Sequence, residues 1–229
     1  MTIESMFDKN PKRIFADRVQ AAEMLNQKLV QYHDRENVIV LGIPRGGVVL
    51  ADALASQLNA EMDIMLTRKI GAPHNPELAV GAVTEDGKLY LDDSIVTALG
   101  LSHNYIDREK KRQVEQIHQR KDRYRAVLSK RSLRDKQVIL TDDGVATGST
   151  MQAAIWAAIA EFPRQVILAV PVASDDALKQ LARDVDEVVC LSAPAQFGAI
   201  SQFYRDFEQV DDEQVIELLQ KHAKIKAHD

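Results

Sequence analysis

Hydrophobic positions along the chain fall into two alternating signatures. Continuous β-branched runs mark strands buried on both faces, and apolar residues three and four apart mark helices packed on one side. Val38-Ile39-Val40-Leu41-Gly42-Ile43 is such a run, and Met62 to Thr67 (MDIMLT) is a second. Between them Val48 to Leu58 repeats at helical spacing, and before them Arg18 to Tyr32 sets Val19, Ala22, Leu25 and Leu29 on one helical face. A helix is predicted over 105–128, then a strand over 138–141, a helix over 150–162, a strand over 165–172, a helix over 175–183 and a strand over 187–191. A last helix is predicted over 211–226. Strands alternating with helices predict an α/β fold, a central and mainly parallel sheet flanked by helices and joined by right-handed crossovers. With no internal repeat and no low-complexity linker, residues 1–229 read as a single domain.

The segment from Arg68 to Leu91 breaks this rhythm. Its prolines, glycines and two short apolar runs suit a long loop with a β-ribbon better than a core element. A loop of that length inside a compact domain is expected to be functional or mobile.

Composition narrows the class. At 229 residues with 45% hydrophobic and 28% charged residues, the chain has ample material for one core. Its net charge of −5 gives no general reason to expect nucleic acid or an anionic membrane as partner. Cys190 is alone, which excludes an intrachain disulfide framework and a cysteine zinc site. The six histidines form neither a His-x3-His pair nor an HExxH motif. The opening MTIESMFDKNPKR lacks the apolar stretch of a signal peptide. The longest apolar run, Val166 to Ala173, is far short of the ~20 residues a membrane span needs. A cytoplasmic protein is expected.

The densest chemistry lies in Val138 to Thr150, VILTDDGVATGST. A buried strand runs into two adjacent carboxylates, Asp142 and Asp143, then a loop of small and hydroxyl residues opens a helix. Open α/β sheets bind ligands at the carboxyl ends of their strands, and a helix N-terminus there offers free N–H groups to a phosphate. Gly148 permits close backbone approach, and Thr147, Ser149 and Thr150 supply hydroxyls. The acidic pair suits vicinal hydroxyls, gripped directly or through Mg²⁺. Together these describe a sugar phosphate carrying a diol. The stretch matches neither a Walker A loop nor a GxGxxG fingerprint. A simply capped helix would explain the hydroxyls but not two carboxylates at the end of a buried strand. Ile43-Pro44-Arg45-Gly46-Gly47 occupies the equivalent place on the first strand, either as an ordinary turn with a surface arginine or as a second anion cradle with Arg45 as its ligand.

VILTDDGVATGST resembles the 13-residue signature of type I phosphoribosyltransferases. Through IPRGG, RKIGAPxxPELAxGAV, DDGxATGxT and AVPVA the resemblance extends over most of the chain, to a group of uncharacterised members of that family. It implies that Asp142 and Asp143 hold the ribose hydroxyls of phosphoribosyl pyrophosphate (PRPP), with an indirect part in holding Mg²⁺, and that the loop from Gly144 through Ala146, Thr147, Gly148, Ser149 and Thr150 wraps the 5′-phosphate. It implies a pyrophosphate loop at Pro44, Arg45, Gly46 and Gly47, with Arg45, Arg68 and Lys69 stabilising the leaving group. It also implies a lid over about 68–91, a small hood from about 1–20 and 193–229, and a homodimer by family analogy. Arg68 and Lys69, placed by the pattern at the end of a strand, read otherwise as two solvated charges, and Glu77 as either a polar lid residue or an exposed helix-start carboxylate. Phe197, Phe203 and Tyr204 either stack on a base or belong to the core. The acid that 6-oxopurine enzymes place at the third position after the aspartate pair is here Ala146.

The expected reaction is transfer of 5-phosphoribosyl from Mg-PRPP to a nitrogen nucleophile, a small nucleobase-like acceptor, with release of pyrophosphate. Two other classes use the same cradle: a PRPP- or nucleotide-binding regulator, with RNA as a further ligand, and a hydrolase or phosphorylase of PRPP-like compounds. The charge pattern bears on this, because residues 108–136 hold twelve Lys or Arg against four acids, a segment of +8 in a chain whose remainder is −13. Such a helix reads as a solvated face, as a carrier of Arg123 or Arg125 toward a polyanion, or as a patch for RNA.

Overall fold

The computed structural model describes residues 14–225. In chain order its elements are α1 (Arg18–Asn26), β1 (Val38–Gly42), α2 (Gly46–Leu58), β2 (Glu61–Ile64), β3 (Thr67–Ala72), β4 (Asn75–Thr84), β5 (Leu89–Leu91), α3 (Asp93–Ala98), α4 (His103–Arg125), β6 (Gln137–Thr141), α5 (Ser149–Ile159), β7 (Gln165–Val172), α6 (Asp175–Leu181), β8 (Glu187–Ser192) and α7 (Asp212–Ile225). The five apolar runs form one parallel sheet in the order β2-β1-β6-β7-β8. All five residues of β1 are buried, as a strand covered on both faces requires. Val38, Val40, Ile139, Ile167 and Ala169 face one core, with α1, α2, α4 and α7 over them. Ile39, Leu41, Val138, Leu140, Leu168 and Val170 face the other, under α5 and α6. The period-two alternation of strand side chains thus fills two apolar layers.

The strand order reverses between β1 and β6, whose residues pair as Ile39 with Val138 and Leu41 with Leu140. In open α/β sheets the crevice beyond the carboxyl ends of two such strands is the ligand site. Here it receives Pro44–Gly47 from β1 and Asp142–Thr150 from β6.

The segment expected as a loop with a β-ribbon holds that ribbon, β3 with β4, extended by β5 into a second, antiparallel sheet ordered β3-β4-β5. Its base is core: Ile70, Val80, Ala82 and Val83 are buried, and Tyr90 stacks on Trp156 of α5 with ring centroids 5.3 Å apart. β4 shows no alternation in sequence because its inner end, Ala79–Thr84, is buried throughout, with Val80 and Val83 on one side and Ala79 and Ala82 against Trp156 on the other. Only Asn75–Leu78, the outer end of β4, is exposed along its whole length. The predicted strand over 62–67 divides, since β2 stops at Ile64 and the chain crosses to β3 at Thr67. Arg68 and Lys69 therefore open the antiparallel sheet rather than end a parallel strand, and Glu77 lies on β4 rather than at a helix start.

Residues 15–16 and 203–206 meet beside the crevice. Phe15 N–H donates to Phe203 O at 2.8 Å, and the N–H groups of Arg205 and Asp206 donate to Phe15 O and Ala16 O, each at 2.9 Å. Residues 1–13 and 226–229 of the expected hood lie outside the described residues. α7 packs on α2 and α4, with His222 Nε2 2.7 Å and Lys221 Nζ 2.9 Å from Asp52 Oδ1. The far end of the tail thus covers the sheet's side rather than its strand ends.

Candidate functional site

Where β6 ends, Asp142 and Asp143 turn back against the β1 loop, and glycine is required there. A Cβ on Gly46 would lie 1.9 Å from Asp143 Oδ2, and one on Gly47 would lie 2.8 Å from Thr141 O and 2.9 Å from Asp142 Oδ1. The Pro44–Arg45 peptide between these elements is cis. Asp143 is held by a residue the sequence did not single out. Arg18, the first residue of α1, donates from Nε and Nη2 to Asp143 Oδ2 at 2.9 and 2.8 Å, and from Nη1 to Glu208 O at 2.9 Å. Its guanidinium also lies 4.0 Å from the Phe207 ring centroid. Burial pushes both carboxyls above the usual range, further for Asp142 because Asp143's charge adds to it, while Arg18 opposes the shift. Of the two carboxylates Arg18 bonds only that of Asp143, and Asp142 Oδ1 accepts from the Asp143 N–H at 2.9 Å; the acidic pair suits hydroxyl donors or a cation.

After the pair, Val145 N–H bonds Val172 O at 2.9 Å, which fixes the loop against β7. Gly148 takes φ +80° and leads directly into α5. An alanine there would enter a left-handed conformation, and its Cβ would meet that of Ala177 at 3.2 Å. Gly148→Ala is expected to lower the unfolding free energy by about 1–2 kcal/mol, measured by urea denaturation.

A cavity of about 380 Å³ sits between the two loops, lined by Pro44, Arg45, Gly46, Asp142, Asp143, Gly144, Ala146, Thr147, Gly148 and Thr150. These are residues the sequence pattern proposed from two segments about a hundred positions apart, brought around one space. Gly47 packs beneath Asp142 instead. Ser149 is buried and turned toward the antiparallel sheet, where Lys69 Nζ donates to its Oγ at 3.0 Å. Lys69 also pairs with Glu77 Oε2 at 2.9 Å, and that contact holds the Glu77 carboxyl below its usual range. Lys69 therefore joins the antiparallel sheet to the phosphate-type loop.

A second cavity of about 140 Å³ shares Ile43, Pro44 and Thr150 with the first. Arg68, Lys69 and, from α4, Gln116 and Arg120 line it. The basic segment reaches the site through Arg120 and not through the two arginines the sequence suggested. Arg123 pairs with Asp212 and Glu213 at 3.1 and 2.6 Å. Arg125 pairs with Asp63 and Glu85 at 2.5 and 2.6 Å.

The aromatic cluster divides as well. Phe203 and Tyr204 are each only 6% exposed and sit in the main core. Tyr204 stacks near Phe15 and Phe207, and its hydroxyl donates to Asp143 O at 2.6 Å. That geometry makes Tyr204 a brace under the acidic pair and leaves neither ring as an open platform. Phe197 packs on Phe203 with centroids 5.2 Å apart. A wide third cavity, about 560 Å³, opens beside the acidic pair between Arg18, Arg45, Ala146, Ile200, Phe207 and Glu208.

Cys190 is buried on β8 and its thiol is pushed up to about 12 by burial, so it is no nucleophile. Among the described residues no group of three or more His, Cys, Asp or Glu converges to hold a metal. One carboxylate pair fits Mg²⁺ that arrives largely coordinated by substrate oxygens, the usual mode for that ion. No described helix is long and apolar enough to cross a membrane.

A five-stranded parallel sheet with an acidic pair, a glycine-hinged loop and an opposing arginine loop at its switch point defines an open α/β fold whose crevice lies between β1 and β6. The phosphoribosyl transferase domain family matches residues 12–208, and the chain belongs to that family. It is 39% identical over 209 residues to two Mycobacterium tuberculosis proteins, from strains CDC 1551 and H37Rv, each bearing the name "Putative phosphoribosyl transferase". The alignment covers 91% of this chain and 47% of each relative, so the chain spans about half the length of the curated relatives it matches. The crystal structure of TT1426 from Thermus thermophilus is 43% identical, with a TM-score of 0.86 over 91% of this chain and 98% of that one.

Proposed function

We propose that the protein transfers a 5-phosphoribosyl group from PRPP to a nitrogen nucleophile. The observation that carries this reading is the single cavity shared by Asp142–Thr150 and Pro44–Gly46. The 5′-phosphate would rest on the α5 N-terminus against Thr147 and Thr150, with the ribose hydroxyls at the acidic pair. The bond from C1 to the diphosphate oxygen breaks and its electron pair leaves with diphosphate. The acceptor nitrogen bonds C1 and gives up its proton to solvent. Charge that grows on diphosphate is met by Arg45 and Arg68, and Lys69 steadies the phosphate loop through Ser149. Bound Mg²⁺, carried on PRPP and faced by Asp142, would supply further neutralisation. Remote binding of the phosphate orients the reacting carbon.

The outer end of β4, which carries Glu77, is placed to close over the site and keep water from PRPP. The wide cavity at Arg18, Ile200 and Phe207 would admit the acceptor. Ala146 supplies no acid there, which favours acceptors that need no proton from the protein at that point.

Incubation with Mg-PRPP and a panel of purines, pyrimidines and amines tests the proposal, with pyrophosphate release as the readout. Acceptor-dependent release is expected. Release without acceptor makes the protein a hydrolase, and binding without release makes it a regulator. Asp142→Asn with Asp143→Asn is expected to weaken PRPP at least tenfold, and unchanged affinity in that variant would sink the assignment.

A further inference from the structure

Basic side chains that are half-buried in the 108–136 segment mostly end on carboxylates. Arg125 meets Asp63 and Glu85, Lys130 meets Asp86 and Glu161, and Arg131 and Lys136 meet Glu61. Arg120, half-buried on the same helix, has no hydrogen bond or ion pair among the described residues, and neither has Arg68 on the same cavity. Burial, and then the neighbouring charges of Arg120 and Arg112, hold the Arg68 guanidinium below its usual range. Arg45 stands apart from them, lining the neighbouring ribose-phosphate cavity instead. Two guanidinium groups brought onto one cavity from β3 and α4 without counter-charge are arranged for an anion with several oxygens.

The cavity is small, about 140 Å³, and its wall of Ile43, Pro44 and Thr150 is shared with the ribose-phosphate cavity. An anion held there is a compact one lying next to the cradle, not a long polymer. We infer that Arg120 is a substrate-contacting residue that, with Arg68, grips the diphosphate end of PRPP and the diphosphate released from it. The inference rests on the PRPP reading above and adds to it a ligand from α4, a helix that neither signature loop includes. The sequence's basic segment then separates by position: Arg125, Arg131 and Lys136 meet carboxylates of β2, Arg123 meets those of α7, and Arg120 faces the leaving group.

Titration of the full chain with inorganic pyrophosphate and, separately, with ribose 5-phosphate, both with Mg²⁺ present, tests this. Wild type is expected to bind both. Arg120→Ala is expected to weaken pyrophosphate at least tenfold while ribose 5-phosphate stays within twofold. Arg120→Lys should recover part of the loss, and exposed Lys111→Ala should change neither ligand. Circular dichroism and the melting temperature verify that each variant is folded, with Arg120→Gln in reserve if the alanine variant is not. Pyrophosphate binding by Arg120→Ala at the wild-type level, equal loss of both ligands, or a wild type that takes ribose 5-phosphate alone overturns the inference and leaves the PRPP reading standing. A wild type that binds neither ligand removes both.

Discussion

Arg125→Leu is expected to lower the unfolding free energy by about 3–5 kcal/mol at pH 7, because it strips the cation from two buried carboxylates. Asp63 and Glu85 are 2% and 4% exposed, and Arg125 reaches both, with Nη1 2.5 Å from Asp63 and Nε and Nη2 2.8 and 2.6 Å from Glu85. Asp63 is the buried acid at the edge of the parallel sheet, Glu85 follows β4, and Arg125 ends α4, so the pair of contacts joins the two sheets through the helix. The loss should depend on pH with a definite sign. Burial already raises the Asp63 carboxyl above its usual range against the pull of Arg125. A group that binds its proton more tightly when folded adds stability below its unfolded pKa, and that contribution fades as pH rises through the folded value. Without Arg125 the fade is larger and extends further up the scale. The deficit relative to wild type should therefore be greatest near neutrality and shrink as pH falls toward 4. Urea denaturation of both proteins at several pH values measures it, and adding Asp63→Asn to the variant should return part of the stability. A pH-independent deficit would mean the carboxylates are solvated after all.

The parallel sheet and both loops of the site were legible because each depends on a local pattern. Val38–Ile43 and Val138–Thr141 are apolar runs, and the residues that follow each one line the candidate site. Burial on both faces produces such runs directly, and the strand ends then bring Pro44–Gly47 and Asp142–Thr150 together. The antiparallel sheet was less legible, because Ala79–Thr84 are all buried and give none of the alternation of a half-buried strand, while Ala79, Gly81 and Ala82 are too small to read as a buried apolar run. Arg120 and Arg125 illustrate another limit. Both lie in one charged helix, and whether a cation meets carboxylates or an open cavity is decided by β2, β3 and the turn after β4. Arg18 was invisible for the same reason, since its partner Asp143 lies 125 positions away. Nothing in the first turn of α1 marks it except the N-cap Asp17 before it.

Arg18→Met should remove a comparable amount of stability, about 3–5 kcal/mol at pH 7, by leaving Asp143 buried without its cation. The side chains of the pair are 10% and 12% exposed, so solvent cannot take the guanidinium's place. Three segments depend on that one group: the start of α1, the acidic pair through Asp143 Oδ2, and the tail through Glu208 O and the face of Phe207. A buried pair of this kind is a poor source of net stability but a strict fixer of geometry, because the two partners tolerate no other arrangement. The consequence is testable by coupling. Arg18→Met with Asp143→Asn should lose less than the sum of the single variants, since the neutral amide no longer requires a cation. Hydrogen exchange should report faster opening at Phe203–Asp206 in Arg18→Met, where the tail's backbone bonds to Phe15 and Ala16 are made. Ribose 5-phosphate affinity should fall in the single variant, because Asp142 and Asp143 then share their charge with no cation and hold a proton more readily. Additive losses, with exchange at 203–206 unchanged, would show that Arg18 is a surface tether and that the acidic pair keeps its shape without it.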